Sequence, residues 1–395
     1  MAAEGGGITV AAPQGRVVIR KRVVVAGLGD SGILTAIRLA HHADVVGISA
    51  KTALVSGQEL GIRLSRPDDW ARDYWIAFDR FRGLDCVRTV HGTLAGVDLA
   101  ARTVTVQRDD GTTQAEDYDA LVISTGVANG FWRRPTLQSV DEVGADLRVA
   151  HDRLASAASV IVVGGGAAAV GSAANLAGTW PDKRVDLYYP GERPLASHHP
   201  RIWGRIRHRL TDLGVGLHDG HRAVIPDGFA CDEITDEPVH WSTGHPPASA
   251  DAVLWAIGRV TPNTDWLPPE VLDEHGFVRV GPDLQVPGHA GVFAVGDVAA
   301  TDPLRSSARN RADGLVAHNV RAQFDGKRVR TYTAPKRRWG SVLGAQSDGL
   351  EVFAPNGKAF RFPAWSIDRI LQPMIVRKGI YKGVRDDGQA SRTQA

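Results

Sequence analysis

Gly27, Gly29 and Gly32 interrupt an apolar run in KRVVVAGLGDSGILTAIRLA (21–40) with the spacing Gly-x-Gly-x-x-Gly. Set between a valine-rich strand and an apolar-periodic helix, this spacing suits one kind of chemistry, the holding of a dinucleotide diphosphate on backbone N–H groups at a helix start. The first glycine permits the tight turn, the second lets backbone approach phosphate, and the third lets helix pack on strand. Asp30 and Ser31 lie between the glycines, at the helix start. SVIVVGGGAAAVGSAANLA (159–177) repeats the pattern with Gly164, Gly166 and Ala169. One such motif is weak in a chain with 44 glycines. Two copies, each after an apolar strand and before a helical pattern, carry more.

The elements that must position these loops can be read around them. DYDALVISTGVANGF (117–131) is a buried-strand run that ends in Thr125-Gly126, and SADAVLWAIGRVTPNTDWL (249–267) ends in Gly258 with Pro262-Asn263-Thr264 just beyond. PGHAGVFAVGDVAATDPLR (287–305) closes on Gly296-Asp297. Apolar strands of four to eight residues that end in glycine turns belong to parallel sheets. The segment from 87 to 122, with its Asp110-Gly111 turn, reads as antiparallel hairpins. The expected class is therefore α/β, with two Rossmann-like three-layer domains and a small C-terminal α+β region.

An acidic residue about 20 positions after a first glycine usually holds the ribose. In the first copy Ser49, Ala50 and Lys51 occupy that place. A serine hydroxyl could still bond a ribose hydroxyl. In the second copy Tyr188, Tyr189 and Pro190 stand there, so no carboxylate would repel a 2′-phosphate, and Arg193 follows as a candidate phosphate contact.

The chain has 395 residues, is 43% apolar and 23% charged, and carries a net charge of +2. That is an ordinary globular composition with room for two or three domains, and it makes no case for nucleic acid. The two cysteines, Cys86 and Cys231, form no CxxC or CxxxxC pair. This argues against a disulfide framework, a zinc ribbon and a dithiol site, and favours a reducing, cytoplasmic setting. His198, His199 and His208 lack partners at ligand spacing, so no metal site is expected and LASHHPRIWGRIRHRL (195–210) reads as a solvated basic helix face. Arg63 and Arg66 are candidates for substrate contact or for surface ion pairs. Residues 1–19 read as a flexible leader without the apolar core of a signal peptide.

Taken in order, Gly27/Gly29/Gly32, Thr125-Gly126, Gly164/Gly166, Gly258 and Gly296-Asp297 resemble the two-dinucleotide-binding-domain flavoproteins, over about residues 20 to 330. Within that superfamily the chain is most similar to the group of type II NADH dehydrogenases, apoptosis-inducing factor and ferroptosis-suppressor quinone reductases. The resemblance implies an FAD-binding domain at 20–128 with 259–330, an NAD(P)H-binding domain at 129–258 and a C-terminal region at 331–395. It implies that Asp297 bonds the ribityl chain and that the helix at 305–324, capped by Ser306 and Ser307, points its N-terminus at the flavin. Gly171 departs from the family, standing where a glutamate is frequent in quinone-reducing members.

The reaction implied is hydride transfer from NADH or NADPH to FAD, with electrons passed on to a quinone-like or other small acceptor. Two further readings stand beside it: a ferredoxin or rubredoxin reductase, and a redox-responsive binding protein whose chemistry has decayed. In the tail, Trp365, Ile367, Ile370, Leu371, Ile375 and Ile380 interleave with Arg369, Arg377, Lys378 and Lys382. That pattern suits a peripheral membrane contact through 365–385, or a homodimer face, and Pro373 is expected to interrupt a long helix.

Overall fold

The structure, a computed structural model, describes residues 20–56, 60–128, 134–258, 260–301 and 312–386. Two five-stranded sheets organise it. The first runs in the order Val292–Ala294, Ala120–Ile123, Arg22–Ala26, Asp44–Ser49, Val87–His91, all parallel. Residues 23 to 26 are fully buried, because the helices at 30–39 and 312–324 cover one face of the sheet while the hairpin strands at 103–107 and residues 266–299 cover the other; the strands therefore read as unbroken apolar runs. Val87–His91 pairs in parallel with Asp44–Ser49, where a hairpin was expected. It lies at the sheet edge, where Arg88 and Thr89 are both exposed, so its apolar run is broken as that of a half-exposed strand is. The hairpins begin only at Thr93–Asp98, which pairs with Thr103–Gln107, and that strand pairs in turn with Thr113–Asp117.

The second sheet runs Gly216–His218, Arg184–Tyr188, Ser159–Val163, Ala252–Trp255 in parallel, with Ile234–Thr235 antiparallel at its edge. All of its strands fall between the fourth and fifth strands of the first sheet in the chain. The longer helices are α1 (Asp30–Leu39), α2 (Leu60–Ser65), α3 (Pro67–Tyr74), α4 (Val140–Ser156), α5 (Ala167–Thr179), α6 (Pro200–Asp212) and α7 (Ala312–Phe324). A capping box starts α4, with Ser139 and Glu142 exchanging bonds with each other's backbone.

The tail forms a hairpin, Gly349–Phe353 with Ala359–Pro363, around Gly357 at φ +82°. It continues as a short helix, Ala364–Ser366, and then as a π-helix, Ile367–Ile380, that carries Pro373 inside it. The proline does not end the segment, whose bonding pattern is the wider i→i+5 one. Helix α6 starts on His199, whose ring accepts from the Arg201 N–H at 3.2 Å. Part of its basic face is docked: Arg205 pairs with Glu351 at 2.5 Å and Arg209 with Asp348 at 3.1 Å. Among the described residues no helix is long and apolar enough to cross a membrane, and no cluster of three His, Cys, Asp or Glu could hold a metal.

Candidate nucleotide site

Gly27 sits at φ +100°, and the strand before it ends with its N–H donating to the Ile48 carbonyl at 2.9 Å. The Ser124 hydroxyl donates to the carbonyls of Gly27 at 2.8 Å and Ala26 at 3.1 Å, which staples the turn to the neighbouring strand. A Cβ on Gly32 would meet the Gly27 carbonyl oxygen at 1.9 Å, while one on Gly29 would meet nothing within 4 Å. The three glycines thus divide the work as their spacing requires. Gly27 turns, Gly32 packs, and Gly29 leaves room beside the start of α1 for a diphosphate.

Gly27, Gly29, Asp30, Ser31, Ser49, Lys51, Thr125, Gly126, Gly296 and Asp297 all line one cavity of about 580 Å³. Thr125 and Asn263 clasp each other: the Thr125 hydroxyl donates to the Asn263 carbonyl at 2.8 Å, and the Asn263 amide returns a bond to the Thr125 carbonyl at 2.9 Å. The sequence marks Asn263 only as punctuation after Gly258, which takes φ +74°. Its role here needs the fold.

Ser49 and Lys51, the residues expected at the first ribose, stand together on the cavity wall. The Ser49 hydroxyl accepts from the Lys51 N–H at 3.1 Å. The Lys51 ammonium donates to the Thr136 carbonyl and to Gln138 Oε1, the latter at 2.6 Å. Burial pushes the Lys51 pKa down to about 8, against the pull of Asp146 and Glu142. In the unfolded chain the same lysine holds its proton to about 10.4. The unfolded state therefore binds more protons between those values, and stability gains as pH rises through that window. Urea unfolding at pH 7.5 and pH 10 is expected to show wild type gaining on Lys51→Met at the higher pH; a pH-independent difference would contradict this.

The second loop has the same construction. Gly164 lies at φ +146°, and a Cβ there would strike the Ala256 carbonyl at 2.2 Å and Ala169 at 3.1 Å; a Cβ on Gly166 would meet nothing within 4 Å. Tyr188 is taken up in an aromatic stack, with His218 at 4.1 Å and Trp241 at 4.7 Å. The following segment folds back on the loop through a bond from the Leu195 N–H to the Gly165 carbonyl at 2.7 Å. On it, Arg193 has a buried Nη1 without a hydrogen-bond partner among the described residues. A donor left so needs an acceptor, and a nucleotide phosphate would serve.

The first turns of α5 join the two halves, because Ala167, Ala168 and Gly171 line the same cavity as the first loop. Gly171 is explained here. A Cβ on it would stand 2.7 Å from the Val342 carbonyl, since residues 341–343 form the cavity wall at this point. Asn175 holds that wall, donating to the Leu343 carbonyl at 2.7 Å, and Arg66 reaches Asn175 Oδ1 at 3.1 Å and the Ala345 carbonyl at 2.9 Å. Arg63 is no surface residue. It is 1% exposed, lies 4.3 Å over the Trp70 ring and donates to the Ser56 carbonyl. Ser306 and Ser307 lie outside the described residues.

The family described as pyridine nucleotide-disulphide oxidoreductase matches residues 21–326. Oxidoreductase ptaL of Pestalotiopsis fici is 26% identical over 308 residues, 74% of this chain and 77% of that protein. Ferroptosis suppressor protein 1 of Xenopus tropicalis is 26% identical over 322 residues, 79% of this chain and 83% of its own. Among solved structures, NDH2 from Plasmodium falciparum in complex with NADH is similar in fold, with a TM-score of 0.65 at 12% identity over 89% of this chain and 94% of that one. The chain belongs to the pyridine nucleotide-disulphide oxidoreductase family; it is an NAD(P)H-dependent flavin oxidoreductase, with FAD and NADH or NADPH as its cofactors.

Proposed function

We propose that the chain passes hydride from NADH or NADPH to FAD and electrons onward to a quinone-like acceptor. In this reading 20–128 with 259–330 bind FAD, 129–258 bind the pyridine nucleotide, and 331–395 form a C-terminal region. The observation that carries it is the shared cavity, lined both by the first glycine loop with Asp297 and by the first turns of α5. Flavin bound there would supply the hydride acceptance and electron release. The chain's own residues supply position. Backbone N–H groups around Gly29 and Gly166 face diphosphates, and Asp297 offers a carboxylate to a ribityl hydroxyl. Ser49 offers its hydroxyl to the first ribose, and Arg193 offers a guanidinium to a phosphate of the second nucleotide. With Tyr188 in place of an acid and Arg193 nearby, NADPH is as good a donor on this geometry as NADH.

No dithiol relay within the chain is available to carry the electrons, since Cys86 is exposed and Cys231 is buried far along the chain. Trp365 is 60% exposed, and Ile370, Met374, Ile375 and Ile380 are exposed along the same tail segment as Arg369 and Lys378. Apolar residues among cations suit the surface of an anionic bilayer, whose apolar interior dissolves quinones.

The test is the visible spectrum of the purified protein under anaerobic conditions. Flavin absorbance that bleaches with NADH or NADPH and returns with a short-chain quinone is expected. A colourless protein that FAD cannot reconstitute would refute the proposal, and a flavin that a quinone fails to reoxidise would refute the acceptor.

A further inference from the structure

Asp30 places a carboxylate on the cavity wall, at the first residue of α1. Left free, that carboxylate would oppose an anionic diphosphate twice over. It would fold onto the same positive helix end and compete for it, and it would repel the phosphates at short range. The structure holds it by both oxygens. The Tyr381 hydroxyl donates to Oδ1 at 2.7 Å, and the Ser56 hydroxyl donates to Oδ2 at 3.2 Å.

Tyr381 reaches this point from the end of the C-terminal helix, and it is buried and anchored. Its ring meets Phe81 edge-on, with centroids 5.3 Å apart and planes at 82°. Beyond it the chain is fixed to the same part of the first half. The Arg82 N–H donates to the Gly383 carbonyl at 3.0 Å and the Arg385 N–H to the Arg80 carbonyl at 2.8 Å. The Arg385 guanidinium forks onto Asp85 at 2.9 and 2.5 Å. A phenol fixed in this way can set the direction of a carboxylate.

We propose that Tyr381, with Ser56, is a positioning residue for the diphosphate site: it holds the Asp30 carboxylate away from the N–H groups at the start of α1, so that the C-terminal segment completes the cofactor site. This rests on the first loop taking FAD. It also makes the tail, which lies beyond the family match at 21–326, part of the binding site.

The test is release of FAD from holoenzyme after dilution, followed by recovery of flavin fluorescence, for wild type, Tyr381→Phe, Asp30→Asn and the double variant. Tyr381→Phe removes one hydroxyl and keeps the ring, and it is expected to release FAD about tenfold faster, the order of an unscreened short-range charge. With the charge gone the tyrosine has nothing to restrain, so the double variant should release FAD within about twofold of Asp30→Asn. A merely structural tyrosine would lower the urea midpoint of both variants lacking it and gain nothing from Asp30→Asn. Tyr381→Phe that retains FAD like wild type, or a double variant as leaky as Tyr381→Phe, overturns the inference alone. Wild-type protein that takes up no FAD overturns the functional proposal, and this inference with it.

Discussion

Gly32→Ala is expected to unfold the first glycine turn, with a loss of at least about 3 kcal/mol in stability and no FAD retained. The added Cβ would lie 1.9 Å from the Gly27 carbonyl oxygen and 2.7 Å from Ser124 Oγ. The serine could rotate, but the carbonyl cannot retreat. It belongs to a residue already at φ +100°, whose own Cβ position is closed by Ser124 backbone at 2.6 Å. Gly29→Ala is the control, because nothing lies within 4 Å of its Cβ position. That variant should unfold in urea near the wild-type midpoint while binding FAD more weakly, the methyl standing where the diphosphate must approach. Denaturation curves and flavin absorbance per protein separate the two effects. Gly32→Ala with wild-type stability would show that the loop is looser than its packing implies.

Gly171→Glu, which introduces the residue that the family resemblance leads one to expect here, is expected to destabilise the protein by about 2–4 kcal/mol rather than improve it. The side chain would have to pass the Val342 carbonyl, 2.7 Å from its Cβ. Sliding α5 away is blocked from α2, since a Cβ on Gly61 would already stand 2.5 Å from the Gly171 carbonyl. The strand-like wall at 341–346 must therefore move. It would lose the bonds that Asn175 and Arg66 make to the Leu343 and Ala345 carbonyls. Limited proteolysis should cut between 338 and 346 in this variant and not in wild type. An unchanged midpoint and no new cleavage would show that the wall yields freely. On this geometry Gly171 marks a repacked cavity and not decayed chemistry, which removes one motive for a binding protein without turnover.

The sequence alone carried the two glycine loops, the strands that feed them and the Thr125-Gly126 and Gly296-Asp297 turns, because each is a short-range pattern. A φ above zero, a tight turn or a buried strand leaves its signature within a few residues. Exchange of the parallel edge strand Val87–His91 for a hairpin was the error that such local evidence invites, since polar residues that interrupt an edge strand read along the chain like those of a half-exposed hairpin strand. What only the tertiary structure decided joins residues far apart. Tyr381 meets Asp30 across 351 positions. Val342 fills the space beside Gly171, Asn263 clasps Thr125, and Arg63 turns inward over Trp70. No periodicity encodes such pairings. They arise when the two sheets and the tail pack together, and the backbone carbonyls and side chains that meet there have no mark in the sequence until the chain has closed around the cavity.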